Sequence, residues 1–306
     1  MEVVPPSDIP SKSSRLAHRI GPLLGLLLFA GALWVLHHQL KTYRLHDVIH
    51  SLDNLPKEGI FAALALTFFS YLIMTGYDAL ALRYVHHPLP YRKFGLASFI
   101  SYAFSNNMGF GMIAGGSVRY RLYSAWGLST VEITKVVLFC SLTLWLGFFT
   151  LGGVAFLFEP LMLPKVLHLP FASAHTLGRV FLAIVTVYFL WTIAGKRSVR
   201  IREWEFSFPP IHVLFVQVVL ASMDWALAGA VLYALLPKVQ ALSFPGFLGI
   251  YLLAQTGGLI SQVPGGLGVF EAIVVLLLSP TLPASEVLGA LLAYRFIYYL
   301  IPLFLV

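Results

Sequence analysis

The chain has 306 residues, of which 58% are hydrophobic and only 11% charged, a balance that excludes an ordinary soluble domain. Its net charge of +7 resides in short segments between long apolar runs, where lysine and arginine encode membrane topology rather than a nucleic-acid surface. The single cysteine, Cys140, lies within an apolar run, which rules out an internal disulfide and a cysteine-built metal cluster.

Crossing a hydrocarbon core of roughly 30 Å takes about 20 apolar residues in a helix. The first such run, residues 20–38, follows a tail (residues 1–19) that carries Lys12, Arg15 and Arg19. The tail is long and no small-residue cleavage site ends the run, so it reads as a span and not as a removable signal. Further spans are expected at about residues 59–82, 133–158, 177–194, 211–236 and 286–306. Two other apolar regions are interrupted. In residues 94–116 the interruption is Ser105, Asn106, Asn107 and a group of glycines that includes Gly115 and Gly116; in residues 246–280 it is Pro264, Gly265 and Gly266. Proline and paired glycines free backbone groups that lipid cannot satisfy, so both regions predict re-entrant hairpins or broken helices shielded by protein or water.

The distribution of Lys and Arg agrees with this reading if residues 94–116 enter and leave by one face. The tail and the segments with Arg83, Arg92 and Lys93, with Arg119, Arg121 and Lys135, and with Lys196, Arg197, Arg200 and Arg202 then share the cytoplasmic side. Lys41, Arg44 and Lys57 fall on the opposite side and weaken the bias without reversing it. The order helix, hairpin, helix recurs at residues 59–158 and 211–306, with Asp78 matched by Asp224 and Gly115-Gly116 by Gly265-Gly266. The expected fold is an all-α polytopic membrane protein of about six full spans plus two re-entrant or broken helical hairpins, arranged as an inverted repeat, a recurring transporter plan.

Ionisable residues inside the apolar spans are few: Asp78, Asp224, Glu271 and Arg295. Each costs about 2.5 to 3.5 kcal/mol at the bilayer centre by insertion scales, so each should face the protein interior or a water-filled cavity. They mark either a polar pathway or structural partners that hold helices together, and Glu271 with Arg295 is an expected ion pair. Arg119 and Arg121 differ, because they sit at an interface just after Gly115-Gly116. Guanidinium offers planar paired donors to a lipid phosphate, although plain positive-inside anchoring explains the same residues. Catalytic motifs are absent: no HExxH, no GxSxG and no Walker loop occur. The pairs His37-His38 and His86-His87 diverge by about 100° on a helix, so neither a metal site nor a cofactor is expected.

At GGSVRYRLYSAWGLS (residues 115–129), QVPGGLGVFEA (262–272) and YRFIYYLIPL (294–303) the chain resembles the N-terminal membrane domain of the multiple-peptide-resistance factors, the bacterial aminoacyl-phosphatidylglycerol synthase/flippases. The resemblance implies a membrane flippase domain over residues 20–306 behind a cytoplasmic tail (1–19), in the bacterial cytoplasmic membrane. It implies translocation of lysyl- or alanyl-phosphatidylglycerol from the inner to the outer leaflet, which lowers surface negative charge and resists cationic antimicrobial peptides. In that family a C-terminal synthase domain, absent here, makes the lipid from aminoacyl-tRNA, so the chain reads as truncated and tRNA would act only through that domain. Carried over motif by motif, the comparison maps onto Asp78, Arg119, Arg121, Glu271 and Arg295 as headgroup-binding residues; Asp224 rests on the repeat alone. A homodimer is admitted but not required. Two rival functions stay open: a secondary carrier of a small anion, and a non-transporting scaffold that presents lipid to a synthase.

Overall fold

Hydrocarbon offers the backbone no hydrogen-bond partners, so a chain of this composition must satisfy its amides internally. A computed structural model describes residues 55–108, 111–158, 174–194, 198–201, 204–207, 209–238, 242–261 and 264–306, and these are helical almost throughout. In chain order they form α1 (Lys57–Tyr84), α2 (Tyr91–Asn107), α3 (Gly111–Ala125), α4 (Thr130–Phe158) and α5 (Ala174–Ile193). A short ribbon of β1 (Ser198–Ile201) and β2 (Trp204–Ser207) follows, antiparallel with Ser198 opposite Ser207, and the apolar pattern did not signal it. Then come α6 (Ile211–Leu235), α7 (Phe244–Ser261), a 3₁₀ turn (Pro264–Gly266), α8 (Val269–Leu278), α9 (Ala284–Tyr294), a π-helical segment (Arg295–Leu300) and a last turn, α10 (Ile301–Phe304).

Among the described residues, five helices are long and apolar enough to cross a membrane: Lys57–Tyr84, Thr130–Phe158, Ala174–Ile193, Ile211–Leu235 and the continuous stretch Ala284–Phe304. These are five of the six expected spans, each within a few residues of its expected limits; the sixth, residues 20–38, lies outside the described residues. Large apolar side chains such as Phe61, Phe68, Val187, Leu190 and Phe215 stand exposed on them, as lipid contact requires.

Local signals set the helix starts. Pro56, Pro90, Pro210 and Pro283 immediately precede α1, α2, α6 and α9, where proline's missing N–H costs no intrahelical bond. Helix α4 begins with a capping box: Ser129 N–H donates to Glu132 Oε2 at 2.7 Å while Glu132 N–H donates to Ser129 Oγ at 3.3 Å.

Helices α1 and α6 pair along their lengths in opposite directions. Gly59 lies against the Ala234 carbonyl, Ser70 bonds Asp224, and Gly76 meets Leu220. Helix α4 runs parallel to α6, with Gln217 donating to Thr143 Oγ1 and Trp225 Nε1 to the Leu144 carbonyl. A side chain at Gly147 would strike the Ala221 backbone, so this crossing needs glycine.

The two interrupted regions are helical hairpins inserted from opposite faces. Helices α2 and α3 have 17 and 15 residues, roughly 26 and 22 Å at 1.5 Å per residue, short of the hydrocarbon core. Helix α2 starts beside the end of α1, bonds the Met74 carbonyl through Ser98, and reaches Tyr71, midway along α1, through Asn106. Helix α3 then returns towards the same end of α1, where Arg119 and Tyr123 meet Asp78. The second hairpin, α7 and α8, enters beside the end of α6, where Tyr233 packs on Phe244 and Phe247. Since α1 and α6 are antiparallel, the ends beside which the hairpins enter lie at opposite faces, and helix, hairpin and helix recur upside down.

The interruptions sit slightly apart from where glycine content put the first of them. Gly115 and Gly116 are interior to α3, and the first break falls between Asn107 and Gly111. Gly115 serves close packing: a Cβ there would collide with Ser105 Oγ and come within 3.1 Å of the Ser101 carbonyl on the facing arm. The second break is at Pro264–Gly266, where Gly265, Gly266 and the following Gly268 have φ of 61°, 63° and 81°, a region that strains any side chain.

The re-entrant path makes a topological prediction. Tyr91 and Ser124 are both exposed, and single cysteines placed there should behave alike, both shielded from an impermeant maleimide in intact cells and both reacting once the membrane is permeabilised. Labelling from opposite faces would show that residues 94–116 cross the membrane.

Candidate functional site

Each hairpin is tied to a span by a carboxylate–arginine pair. On the first, Arg119 Nε and Nη2 donate to Asp78 Oδ1 and Oδ2, each at 2.8 Å. Tyr123 Oη donates to the same Oδ1 at 2.6 Å, and the guanidinium stands 4.6 Å from the centre of the Tyr102 ring. Asp78 is fully buried and Arg119 is 4% exposed. This arrangement uses the Nε–Nη2 edge of the guanidinium, one of the two that could fork onto a phosphate. Arg121, two residues on, is exposed, so the structure separates the two arginines to different surroundings.

On the second hairpin, Arg295 Nε donates to Glu271 Oε1 at 2.7 Å, with Nη2 also 2.7 Å from that oxygen. The other carboxylate oxygen, Oε2, accepts the Gly268 N–H at 2.7 Å and so caps the start of α8. The Glu271–Arg295 pairing expected from sequence is present. Arg295 is held flat between two rings, 5.5 Å from the centre of Phe270 and 4.7 Å from that of Tyr299.

Here Nε and Nη2 both meet a single carboxylate oxygen, whereas Arg119 meets both oxygens of Asp78. Among the described residues Nη1 of Arg295 carries no hydrogen bond, and it points to where the hairpins meet: a Cβ on Gly265 would lie 3.5 Å from it and 3.9 Å from the carbonyls of Asn106 and Asn107. Asn107 Nδ2 donates to the Tyr299 carbonyl at 3.0 Å, and Asn106 Nδ2 to Tyr71 Oη at 3.3 Å. The tips of both hairpins, the free edge of Arg295 and an array of tyrosines thus converge about midway along α1.

Asp224, on α6, is 2% exposed and has no arginine partner among the described residues. Its Oδ1 accepts from Ser70 Oγ at 2.7 Å and its Oδ2 from Tyr77 Oη at 3.0 Å. Of the residues expected from sequence, the structure therefore joins Asp78 with Arg119 and Glu271 with Arg295, leaves Asp224 among hydroxyls, and leaves Arg121 at the surface. Pro264, Gly265 and Gly266 form the turn opposite Arg295. Sequence reasoning did not assign Asn106, Asn107, Tyr298 or Tyr299 to the site. The run Arg295–Leu300, with two adjacent tyrosines after an arginine, was the available signal, because polar rings inside a span need partners.

Comparison with known proteins agrees with this architecture. Residues 23–305 match the family described as "Lysylphosphatidylglycerol synthase TM region". An uncharacterised Synechocystis protein is 45% identical over 280 residues, 92% of this chain and 87% of that protein. Inner membrane protein YbhN of Escherichia coli is 33% identical over 294 residues, 95% of this chain and 90% of its own length. A phosphatidylglycerol lysyltransferase of Staphylococcus aureus is 29% identical over 288 residues, 90% of this chain but only 32% of the enzyme.

Removing one member of a buried pair strands the other, at a cost of about 3 to 5 kcal/mol. Asp78→Asn is therefore expected to lower the melting temperature of the purified protein in detergent by several degrees. Asp78→Asn combined with Arg119→Gln should recover part of that loss. Additive damage in the double variant would show that the pair does not act as a unit.

Proposed function

Because the chain belongs to the family of lysylphosphatidylglycerol synthase transmembrane regions, we propose that it moves an aminoacylated phosphatidylglycerol, lysyl or alanyl, from the inner to the outer leaflet of a bacterial cytoplasmic membrane. Such movement would lower surface negative charge and protect against cationic antimicrobial peptides. The observation that carries the reading is the meeting of both hairpin tips at the free edge of Arg295, deep within the span bundle. Aminoacylated phosphatidylglycerol carries an anionic phosphodiester and a cationic amine, and each is costly in hydrocarbon without an opposite charge.

In this reading Arg295 receives the phosphodiester through Nη1, with Glu271 holding the guanidinium in place and the carboxylates of Glu271 and Asp224 balancing the amine. The acyl chains stay in the bilayer while the headgroup passes. Asp78 and Arg119 act by fixing the arm of the first hairpin. Arg121 lies with Arg83, Arg92, Lys93 and Lys135 towards the face at which α1 ends and α4 begins. That basic face is the cytoplasmic one under the positive-inside rule, and it concentrates anionic headgroups by charge alone. The names of the staphylococcal relatives support phosphatidylglycerol as the lipid class.

Arg295→Lys tests the site, because lysine keeps the charge and loses the planar fork. A charge-assisted hydrogen bond is worth roughly 1.5 to 3 kcal/mol, about ten- to a hundredfold in rate if it is made only during passage. Outer-leaflet lysyl-phosphatidylglycerol, measured with an impermeant amine reagent at constant synthesis, should fall accordingly for Arg295→Lys. Arg121→Lys should stay within about twofold of the parent, since only its charge is used. Wild-type lipid asymmetry in Arg295→Lys would remove this residue from the path, and uptake of a water-soluble anion by the same vesicles would favour the small-anion carrier.

A further inference from the structure

The buried charged residues among those described are Asp78, Arg119, Asp224 and Glu271. Asp78 and Arg119 neutralise each other, and Glu271 is neutralised by Arg295. Asp224 alone has no cation within ion-pairing distance among the described residues, although it matches Asp78 in the repeat. Its near partners are hydroxyls on other elements: Ser70 and Tyr77 from α1, and beyond Ser70 the hydroxyl of Tyr298 in the π-helical segment, 3.0 Å from Ser70 Oγ. Tyr71 of α1 packs on Tyr298 and Tyr102 of α2 on Tyr77, and the cation that Tyr102 meets, Arg119, is already paired with Asp78. A carboxylate this deep, with no positive charge beside it, is costly in hydrocarbon unless neutralised.

The π-helical segment is bonded to α1 and to both hairpins. It begins at Arg295, whose partner is Glu271. Its Tyr298 carbonyl accepts from Tyr71 Oη at 3.3 Å, and its Tyr299 carbonyl accepts from Asn107 at the tip of the first hairpin at 3.0 Å. Segments of π-helix have strained bonding and recur at functional positions. We infer that Asp224 is a proton-binding site, and that its occupancy is passed through Ser70 and Tyr298 to the π-helical segment that carries Arg295.

The chemistry of the relay is balanced. Ser70 has one hydroxyl hydrogen and gives it to Asp224 Oδ1, so Tyr298 must be the donor in the Ser70–Tyr298 contact when Asp224 is ionised. A proton taken from water forms an O–H bond at Oδ1, which then donates to Ser70 Oγ. The Ser70 hydrogen turns to Tyr298 Oη, and the Tyr298 hydroxyl loses its acceptor. Neutralising one carboxyl thereby reverses two hydrogen bonds and alters the packing of the segment at Tyr298, three residues from Arg295. Proton binding itself is independent of the proposed lipid movement; only its coupling to Arg295 rests on that reading.

Two readouts separate the two. In the purified full chain, infrared difference spectra between neutral and acidic buffer should show the carbonyl stretch of a newly protonated carboxylic acid. Asp224→Asn should remove one component of that band, whereas Ser70→Ala and Tyr298→Phe, which keep the carboxyl, should retain it. In vesicles of phosphatidylglycerol and lysyl-phosphatidylglycerol, the rate at which the lipid amine reaches the outer leaflet should depend on an imposed pH gradient. All three variants should lose that dependence. A carboxylic-acid band left unchanged by Asp224→Asn overturns the proton site, and a pH-gradient response that survives Tyr298→Phe overturns the relay. If the parent chain moves no lipid and the band still depends on Asp224, the proton site is supported and the lipid reading fails alone.

Discussion

A charge inside hydrocarbon must be met by a charge from the same protein, and this constraint organises the molecule. Four buried ionised side chains would be untenable on isolated helices. Here the first hairpin is docked to α1 by Arg119 on Asp78, and the second is joined to the last span by Arg295 on Glu271. Each pair bridges two elements that apolar contacts alone would let slide. The pairs also explain how helices too short to span the membrane remain inside it, since their polar ends are buried against protein.

The antiparallel α1–α6 contact is the axis on which this is built. Small residues bring the two helices close: Gly59 against the Ala234 carbonyl, Gly76 against Leu220, and beside them Gly147 of α4 against Ala221. Close approach replaces hydrophobic driving force, which is weak between helices already in lipid. Inserting a hairpin beside the end of each axis helix then brings the two tips together near the midplane. This is the plan by which broken helices present unpaired polar groups to a substrate without exposing them to lipid.

The two halves are not electrostatically equivalent. Asp78 is gripped by a bidentate arginine and a tyrosine, whereas Asp224 is held by a serine and a tyrosine. The first hairpin arm is thus locked, and the corresponding position in the second half is left with groups that can reverse their hydrogen bonds. A rigid half set against an adjustable one fits the proposed movement of a polar headgroup. The π-helical segment is where the adjustable half touches the meeting point of the hairpins, through Arg295, Tyr298 and Tyr299.

Much of this was legible in the sequence. Runs of about 20 apolar residues marked the spans because length in hydrocarbon is fixed by the bilayer. Pro264, Gly265 and Gly266 marked the second break because backbone freed in lipid needs a reason, and Glu271 with Arg295 stood out because unlike charges in neighbouring apolar segments need one another. What the sequence left open was which arginine met Asp78. Arg119 and Arg121 look alike in composition, and only the packing of α3 on α1 and α2 turned one inward onto Asp78 and Tyr102 and left the other at the surface. Gly115 and Gly116, read as a break, proved to be packing contacts inside α3, Gly115 against Ser101 and Ser105 of the facing arm and Gly116 against Val137 of α4. Asp224 shows the same division most plainly. Its cost in the membrane follows from its place in an apolar run, but the absence of a cation among its described neighbours is a property of helices brought together from residues 70, 77 and 298, a conjunction that local sequence pattern does not encode.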